Sequence, residues 1–114
     1  MKKNIEKIAN YYKFEKQSRQ LAEECAELIQ AVNKYHRFRE SKNTRDDILA
    51  CTHDSNLLIQ NIVEEIADCE IMFEQIKILL NINSDAIEEI KKFKVDRELK
   101  RIEKEVNTKY GNAY

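Results

Sequence analysis

The chain has 114 residues, with 20 Lys and Arg against 21 Asp and Glu, one Gly, no Pro and no Trp. One glycine excludes the glycine-rich loops that hold phosphates, because a dinucleotide-binding G-x-G-x-x-G needs three glycines and a P-loop needs two. The shortage of turn residues argues against a compact all-β domain, and the 36% of charged residues without helix breakers predicts an all-α protein with one domain over residues 1–114.

Apolar residues at helical spacing predict two helices near the N-terminus. The first covers residues 3–14, where Ile5, Ile8 and Tyr12 mark one face. The second covers residues 17–37, where apolar residues from Leu21 to Tyr35 recur at steps of four and three, as in a packing seam. Residues 38–55 lose this period, so we interpret them as a long connection with a short helix at 45–52. We keep two interpretations of this segment, a lid over the site and a simple loop.

Two further helices are predicted in the C-terminal half. The third covers residues 56–80, with a seam that runs from Leu58 to Leu79 in alternating steps of four and three. The fourth follows residues 81–84, with Ser84 as its expected N-cap, and ends before Gly111. Its apolar face consists of Val95, Leu99, Ile102 and Val106.

Nothing in the sequence suggests export or a membrane segment. Polar residues follow Lys2 and Lys3 where a signal peptide would be apolar, and the longest aliphatic run covers only residues 78–80. Three cysteines without a C-x-x-C motif are typical of reduced thiols: Cys25, Cys51 and Cys69. We therefore expect a cytoplasmic protein without a membrane partner.

Acidic residues lie at the packing seams of the second and third predicted helices. Glu65 occupies a seam position, where burying a lone carboxylate is costly. Asp68 lies three residues further on, which places it on the same helix face, and Glu24 and Glu27 repeat this spacing on the second helix. Four carboxylates between packed helices repel one another unless protons, basic partners or a metal ion neutralise them.

A metal ion held by these carboxylates would be Mg²⁺ or Mn²⁺, which prefer hard oxygen ligands. A di-iron centre is disfavoured, because it needs Glu-x-x-His on two helices. Neither histidine fits that motif, since His36 follows Asn33 and His53 follows Ala50 by three positions. The sequence also has no Cys/His cluster with zinc-ligand spacing.

Around these acids the chain resembles the MazG-like all-α nucleoside triphosphate pyrophosphohydrolases. Their signature is E-E-x-x-E on one helix and E-E-x-x-D on a later helix, and here the two motifs occupy residues 23–27 and 64–68. The resemblance covers about residues 17–105. Residues 20–28, together with residues 94–97 and 101–102, are similar to small single-domain members from phages and Firmicutes.

The resemblance implies Mg²⁺-dependent hydrolysis of a (deoxy)nucleoside triphosphate at its α–β bond, with Mn²⁺ as the alternative ion. By motif position it implies four metal ligands: Glu24, Glu27, Glu65 and Asp68. The leading acids of the two motifs, Glu23 and Glu64, would orient the attacking water or support the ligands.

Substrate contacts outside the acidic motifs are less defined. Three basic residues fall on one face of the fourth helix, and we hypothesise that they contact the substrate phosphates: Lys94, Arg97 and Arg101. A solvated basic face is the alternative. Five residues are candidates for the side chain that contacts the nucleotide base: Tyr11, Tyr12, Phe14, Gln20 and Tyr35. We expect no DNA or RNA duplex as a partner.

Four helices with long seams offer more apolar surface than one thin layer buries. We therefore expect a four-helix, MazG-like bundle completed by oligomerisation, as a homodimer or homotetramer, and the resemblance implies the same. The competing interpretations are a non-catalytic helical interaction module and a degenerate family member that binds nucleotide or metal without turnover. The presence of all four expected ligands favours the enzyme.

Overall fold

A computed structural model describes the backbone of residues 1–41 and 48–110, and the side chains of residues 1–41 and 53–110. The described residues form three helices and no strand: α1 (Lys2–Ser41), α2 (Ile48–Leu79) and α3 (Ser84–Tyr110). The predicted all-α class is confirmed. The chain divides into two compact units, Met1–Asn81 and Ile82–Tyr114.

The helix α1 joins the two N-terminal helices that the sequence predicted separately. At Lys13, one residue before the predicted end of the first helix, the backbone leaves the helical conformation, with φ 69° and ψ 170°. This region is almost restricted to glycine, and another residue there costs on the order of 1–3 kcal/mol. The helix α1 therefore consists of two helical segments that meet at Lys13, two residues before the predicted gap at 15–16, and no loop separates them.

The predicted long connection over residues 38–55 is much shorter in the structure. The helix α1 continues to Ser41, and α2 begins at Ile48, eight residues before its predicted start at Asn56. The apolar period indicates which helix face packs and not where the helix ends, and the lack of Pro and Gly permits both helices to extend beyond their predicted bounds. Residues 42–47, which include the start of the predicted short helix at 45–52, lie outside the described residues.

Two asparagines make the connection between α2 and α3. Asn81 has a φ of 54°, the left-handed conformation that commonly ends a helix. Asn83, rather than the predicted Ser84, caps α3, because its Oδ1 accepts a hydrogen bond from the backbone N–H of Asp85 at 2.9 Å. Both residue types carry a capping oxygen, and Ser84 already lies in the first turn of α3.

The helices α1 and α2 pack antiparallel, since Gln17 contacts Gln75 while Glu27 lies beside Glu65. The buried residues of this contact are small or flexible: Ala9, Gln17, Ala31, Cys69, Met72 and Gln75. In α1 the predicted seam fails at one position, where Ala31 is buried and Val32 is 46% exposed. The other four seam residues are half-buried: Leu21, Cys25, Leu28 and Tyr35. Apolar spacing predicts the distance between packed residues along a helix, but it does not predict which of two neighbouring apolar residues faces the partner helix.

The helix α3 has no buried residue among those that the structure describes. Its four predicted apolar-face residues are between 47% and 58% exposed: Val95, Leu99, Ile102 and Val106. In the described part of the chain, no helix offers a stretch with the length and apolarity that a bilayer crossing requires.

Candidate metal centre

The antiparallel pairing of α1 and α2 brings the acidic motifs of the two helices together. Carboxylate oxygens of Glu24, Glu27 and Glu65 all lie within 4.8 Å of one another. Glu24 and Glu65 are half-buried between the helices, and Glu27 is exposed. Glu24 and Glu27 share one face of α1 because they are three residues apart, so both reach Glu65 of α2. We call these three residues the carboxylate cluster.

Two oxygens of the carboxylate cluster are buried without a hydrogen-bond partner in the described structure, namely Oε2 of Glu24 and Oε2 of Glu65. Leaving a buried polar atom unpaired costs about 1–3 kcal/mol, and more when the group is charged. Nearby carboxylates add repulsion to this cost. The donor set therefore fits a divalent cation with hard-oxygen preference, which would give both oxygens a partner.

The remaining acids of the two motifs do not join the carboxylate cluster. Asp68 is exposed, one turn beyond Glu65, and its side chain is one methylene shorter than that of glutamate. Glu23 and Glu64 are also exposed, each one position before a half-buried acid. The metal-ligand role of Asp68 and the supporting roles of Glu23 and Glu64 stay predictions.

Two thiols lie beside the carboxylate cluster. Cys69 is 1% exposed, and Cys25 is half-buried. Burial raises the pKa of the Cys69 thiol, and contact with Cys25 and the charges of Glu24 and Glu65 raise this pKa further. Cys69 is therefore a neutral, buried side chain beside the acids, as its place in the predicted seam suggested.

A buried amide pair, which we did not predict from the sequence, lies further along the α1–α2 contact. Gln17 donates a hydrogen bond from Nε2 to Oε1 of Gln75 at 2.6 Å, and both residues are less than 5% exposed. Nε2 of Gln75 lies 3.6 Å from the sulfur of Met72. One signal for this pair was in the sequence, since Gln17 lies two turns before Glu24 on the same helix face.

The predicted phosphate-binding residues belong to α3. Lys94, Arg97 and Arg101 are all exposed. The guanidinium of Arg97 lies 5.8 Å from the centroid of the Phe93 ring, and Nη1 of Arg101 lies 3.3 Å from Oε2 of Glu98. Such exposed contacts contribute little stability and leave both arginines accessible. Their contact with substrate stays a prediction.

The candidates for contact with the base have different surroundings. Gln20 donates a hydrogen bond from Nε2 to Oε1 of Glu24 at 2.8 Å, so its amide is engaged at the carboxylate cluster. Tyr11 and Tyr12 pack edge to face with ring centroids 4.9 Å apart, and Nζ of Lys16 lies 4.2 Å from the Tyr12 centroid. Phe14 is exposed and Tyr35 is half-buried. Contact of one of these five residues with the base stays a prediction.

Comparisons with known proteins found no relative: no family model matches the chain, nor does a curated protein or a solved structure. The resemblance of the two acidic motifs to those of MazG-like pyrophosphohydrolases stays an expectation from the sequence. What the site offers chemically is a set of clustered carboxylate oxygens, two of them buried and unpaired, on paired helices.

Proposed function

We propose that this chain hydrolyses (deoxy)nucleoside triphosphates at the α–β phosphoanhydride bond, releasing the nucleoside monophosphate and pyrophosphate in a Mg²⁺-dependent reaction. The observation that carries the proposal is the convergence of Glu24, Glu27 and Glu65 with two buried, unpaired oxygens. The two motifs on paired helices support it. Mn²⁺ is the alternative ion, and the cytoplasm is the proposed location.

The carboxylate cluster alone would repel a triphosphate, because both are negatively charged. Bound Mg²⁺ would offset the phosphate charge and lower the pKa of a bound water. Glu24 and Glu65 would hold the ion from α1 and α2, and the exposed Glu27 would hold it at the solvent side. Two paired helices fix these acids in place, and positioning with charge stabilisation is most of what phosphoryl transfer requires.

The other predicted residues would act around this centre. Asp68 would complete the ligand set, and Glu23 or Glu64 would accept a hydrogen bond from the attacking water. The basic face of α3 would neutralise the phosphates, either in the same chain or from a second copy. It consists of Lys94, Arg97 and Arg101.

The decisive experiment measures pyrophosphate release from a panel of dNTPs and NTPs with Mg²⁺ or Mn²⁺. The wild type should release pyrophosphate and monophosphate, and Glu65→Gln should abolish the release. Asp54→Asn is the matched control, since Asp54 is an exposed acid on the same helix, three turns from Glu65, and should retain activity. Activity that survives Glu65→Gln would overturn the metal assignment.

We also propose a homodimer or homotetramer in which helices of two chains complete a four-helix bundle. Six apolar side chains on α1 and α2, which we call the apolar flank, are between 42% and 60% exposed: Ile29, Val32, Ile59, Val63, Ile66 and Phe73. Each follows an inward-facing residue by one position, a rotation of about 100°. In an antiparallel pair this rotation brings residues of both helices to one side.

A second copy is the occupant that fits the apolar flank. Its six residues carry no charge, and a two-fold axis would place the flank against itself, with Glu70, which follows the buried Cys69, as the acid on this side. The pair of α1 and α2 also needs another layer, because few apolar side chains are buried in the described part: Ala9, Ala31, Cys69 and Met72. Glu27 and Asp68 precede inward-facing residues by one position, so they lie on the opposite side and would remain accessible.

Analytical ultracentrifugation tests this assembly. Val63→Glu places a charge in the apolar flank and should dissociate the wild-type oligomer. Asn61→Glu adds the same charge at an exposed position of α2 outside the flank and should leave the oligomer intact. A monomeric wild type, or a Val63→Glu variant that stays oligomeric, would overturn the assembly.

Two other functions predict different results. A non-catalytic interaction module is favoured by the exposed apolar face of α3, and it predicts no stabilisation by Mg²⁺ with nucleotide. A degenerate pyrophosphohydrolase predicts stabilisation without pyrophosphate release. Ligand at 100 times its Kd stabilises a folded protein by about 2.7 kcal/mol, so thermal unfolding separates these cases.

A further inference from the structure

Gln20 ties down one of the two oxygens of Glu24. It lies one turn before Glu24 on α1 and donates a hydrogen bond from Nε2 to Oε1 of that carboxylate at 2.8 Å. The other oxygen, Oε2, is the buried atom that has no partner in the described structure. One oxygen of Glu24 is therefore occupied by the protein, while the second is left free within the α1–α2 contact.

A carboxylate in this position needs something to hold it. Glu27 and Glu65 lie within 4.8 Å and repel Glu24, and a glutamate has three rotatable bonds with which to turn toward water. The amide of Gln20 opposes that motion. The amide is uncharged, so it holds the carboxylate and leaves its negative charge available to a cation. A lysine or arginine at the same position would cancel that charge.

We infer that Gln20 is a positioning residue for the proposed metal centre and acts through Glu24. It keeps Oε2 of Glu24 directed into the α1–α2 contact, so that a divalent cation meets an arranged set of ligands. Residues that orient metal ligands in this way commonly contribute 10–100-fold to metal affinity, as an order of magnitude. The inference rests on the proposed function, because it needs a cation at the carboxylate cluster.

The test uses Mn²⁺ alone as the probe, with the full chain and no nucleotide. Free Mn²⁺ is measured by electron paramagnetic resonance, which gives the Kd of each variant. Gln20→Ala should raise this Kd by about 10–100-fold. Gln30→Ala should leave it unchanged, because Gln30 is an exposed glutamine on the same helix.

A purely structural role of Gln20 would show in the metal-free protein. Alanine is the strongest helix former and Gln20 is only half-buried, so Gln20→Ala should not lower the unfolding midpoint in EDTA. Lower metal affinity at unchanged metal-free stability is the signature of positioning.

A double-mutant cycle tests whether Gln20 acts through Glu24. If it does, adding Gln20→Ala to Glu24→Gln should not weaken Mn²⁺ binding further. In a Glu27→Gln background, by contrast, Gln20→Ala should keep its own loss.

The outcomes separate this inference from the proposed function. Equal affinity of the wild type and Gln20→Ala, or additive losses with Glu24→Gln, would overturn the role of Gln20 and leave the metal centre standing. A wild type that does not bind Mn²⁺ would overturn the metal centre, and the role of Gln20 with it.

Discussion

Replacing Glu65 by Gln should stabilise the metal-free protein while removing its response to metal. Oxygens of Glu65 and two other carboxylates lie within 4.8 Å of one another. At that separation two unit charges repel by about 0.9 kcal/mol at the dielectric constant of water and by about 3.5 kcal/mol at an effective value of 20. The repulsion energy of about 0.9 kcal/mol suits the pair with the exposed Glu27. An energy between the two limits suits the pair with the half-buried Glu24.

Reorientation of Glu27 toward solvent reduces what is measured, so we expect a gain of about 1–2 kcal/mol in the free energy of unfolding. The assay is urea denaturation followed by circular dichroism, at neutral pH, in EDTA and in Mn²⁺. The wild type should gain stability from Mn²⁺, and the Glu65→Gln variant should not.

Asp54→Asn is the control for this measurement, because it removes an exposed charge from the same helix and should change neither curve by more than about 0.5 kcal/mol. A Glu65→Gln variant that is less stable than the wild type in EDTA would refute the repulsion between the carboxylates. A variant that Mn²⁺ still stabilises would refute the place of the ion.

Three further predictions concern the helix pair of α1 and α2. Lys13→Gly should raise the free energy of unfolding by about 1 kcal/mol in urea denaturation, because glycine tolerates the positive φ. Lys13→Ala keeps the Cβ and should not raise it, and a glycine variant less stable than the wild type would contradict the prediction. Gln17→Leu should lower the calorimetric stability by about 1–3 kcal/mol, because it leaves the buried Oε1 of Gln75 without its donor, and adding Gln75→Leu should recover most of the loss. A double variant no better than the single one would contradict the pairing. In EDTA, stability should fall as pH rises above about 9.0, the ordinary pKa of the thiol, because the raised pKa of Cys69 keeps its thiol protonated in the folded chain after the unfolded chain has ionised. Cys69→Ala should flatten this part of the curve of unfolding free energy against pH, and an unchanged slope would refute the shift.

The helical class and the rough positions of the helices were predictable, because apolar spacing and the absence of breakers are local properties of the sequence. The beginning of α2 at Ile48 was not, since the apolar period reports the face that packs and not the extent of the helix. The burial of Ala31 instead of Val32 has a similar cause. Both residues suit a packed face, and the partner helix decides which of them is covered.

The convergence of Glu24, Glu27 and Glu65 agrees with the expectation from their spacing and from the seam position of Glu65. Spacing gives the direction of each side chain around its helix, but it does not give side-chain length or rotamer, and Asp68 remains outside the cluster. The hydrogen bond from Gln20 to Glu24 joins residues four apart, which are neighbours on a helix, so it could have been predicted from the sequence.

The hydrogen bond between Gln17 and Gln75 has a consequence for the register of the α1–α2 pair. Apolar contacts that recur about every seven residues survive a slip of one heptad, so they do not select one register. Such a slip would move Glu65 away from Glu24 and Glu27, and charge repulsion alone therefore favours it. The slip would also leave two buried amides without their hydrogen bond, which destabilises the pair by about 1–3 kcal/mol for each amide. The amide pair thus holds the helices in the register in which the acids face one another.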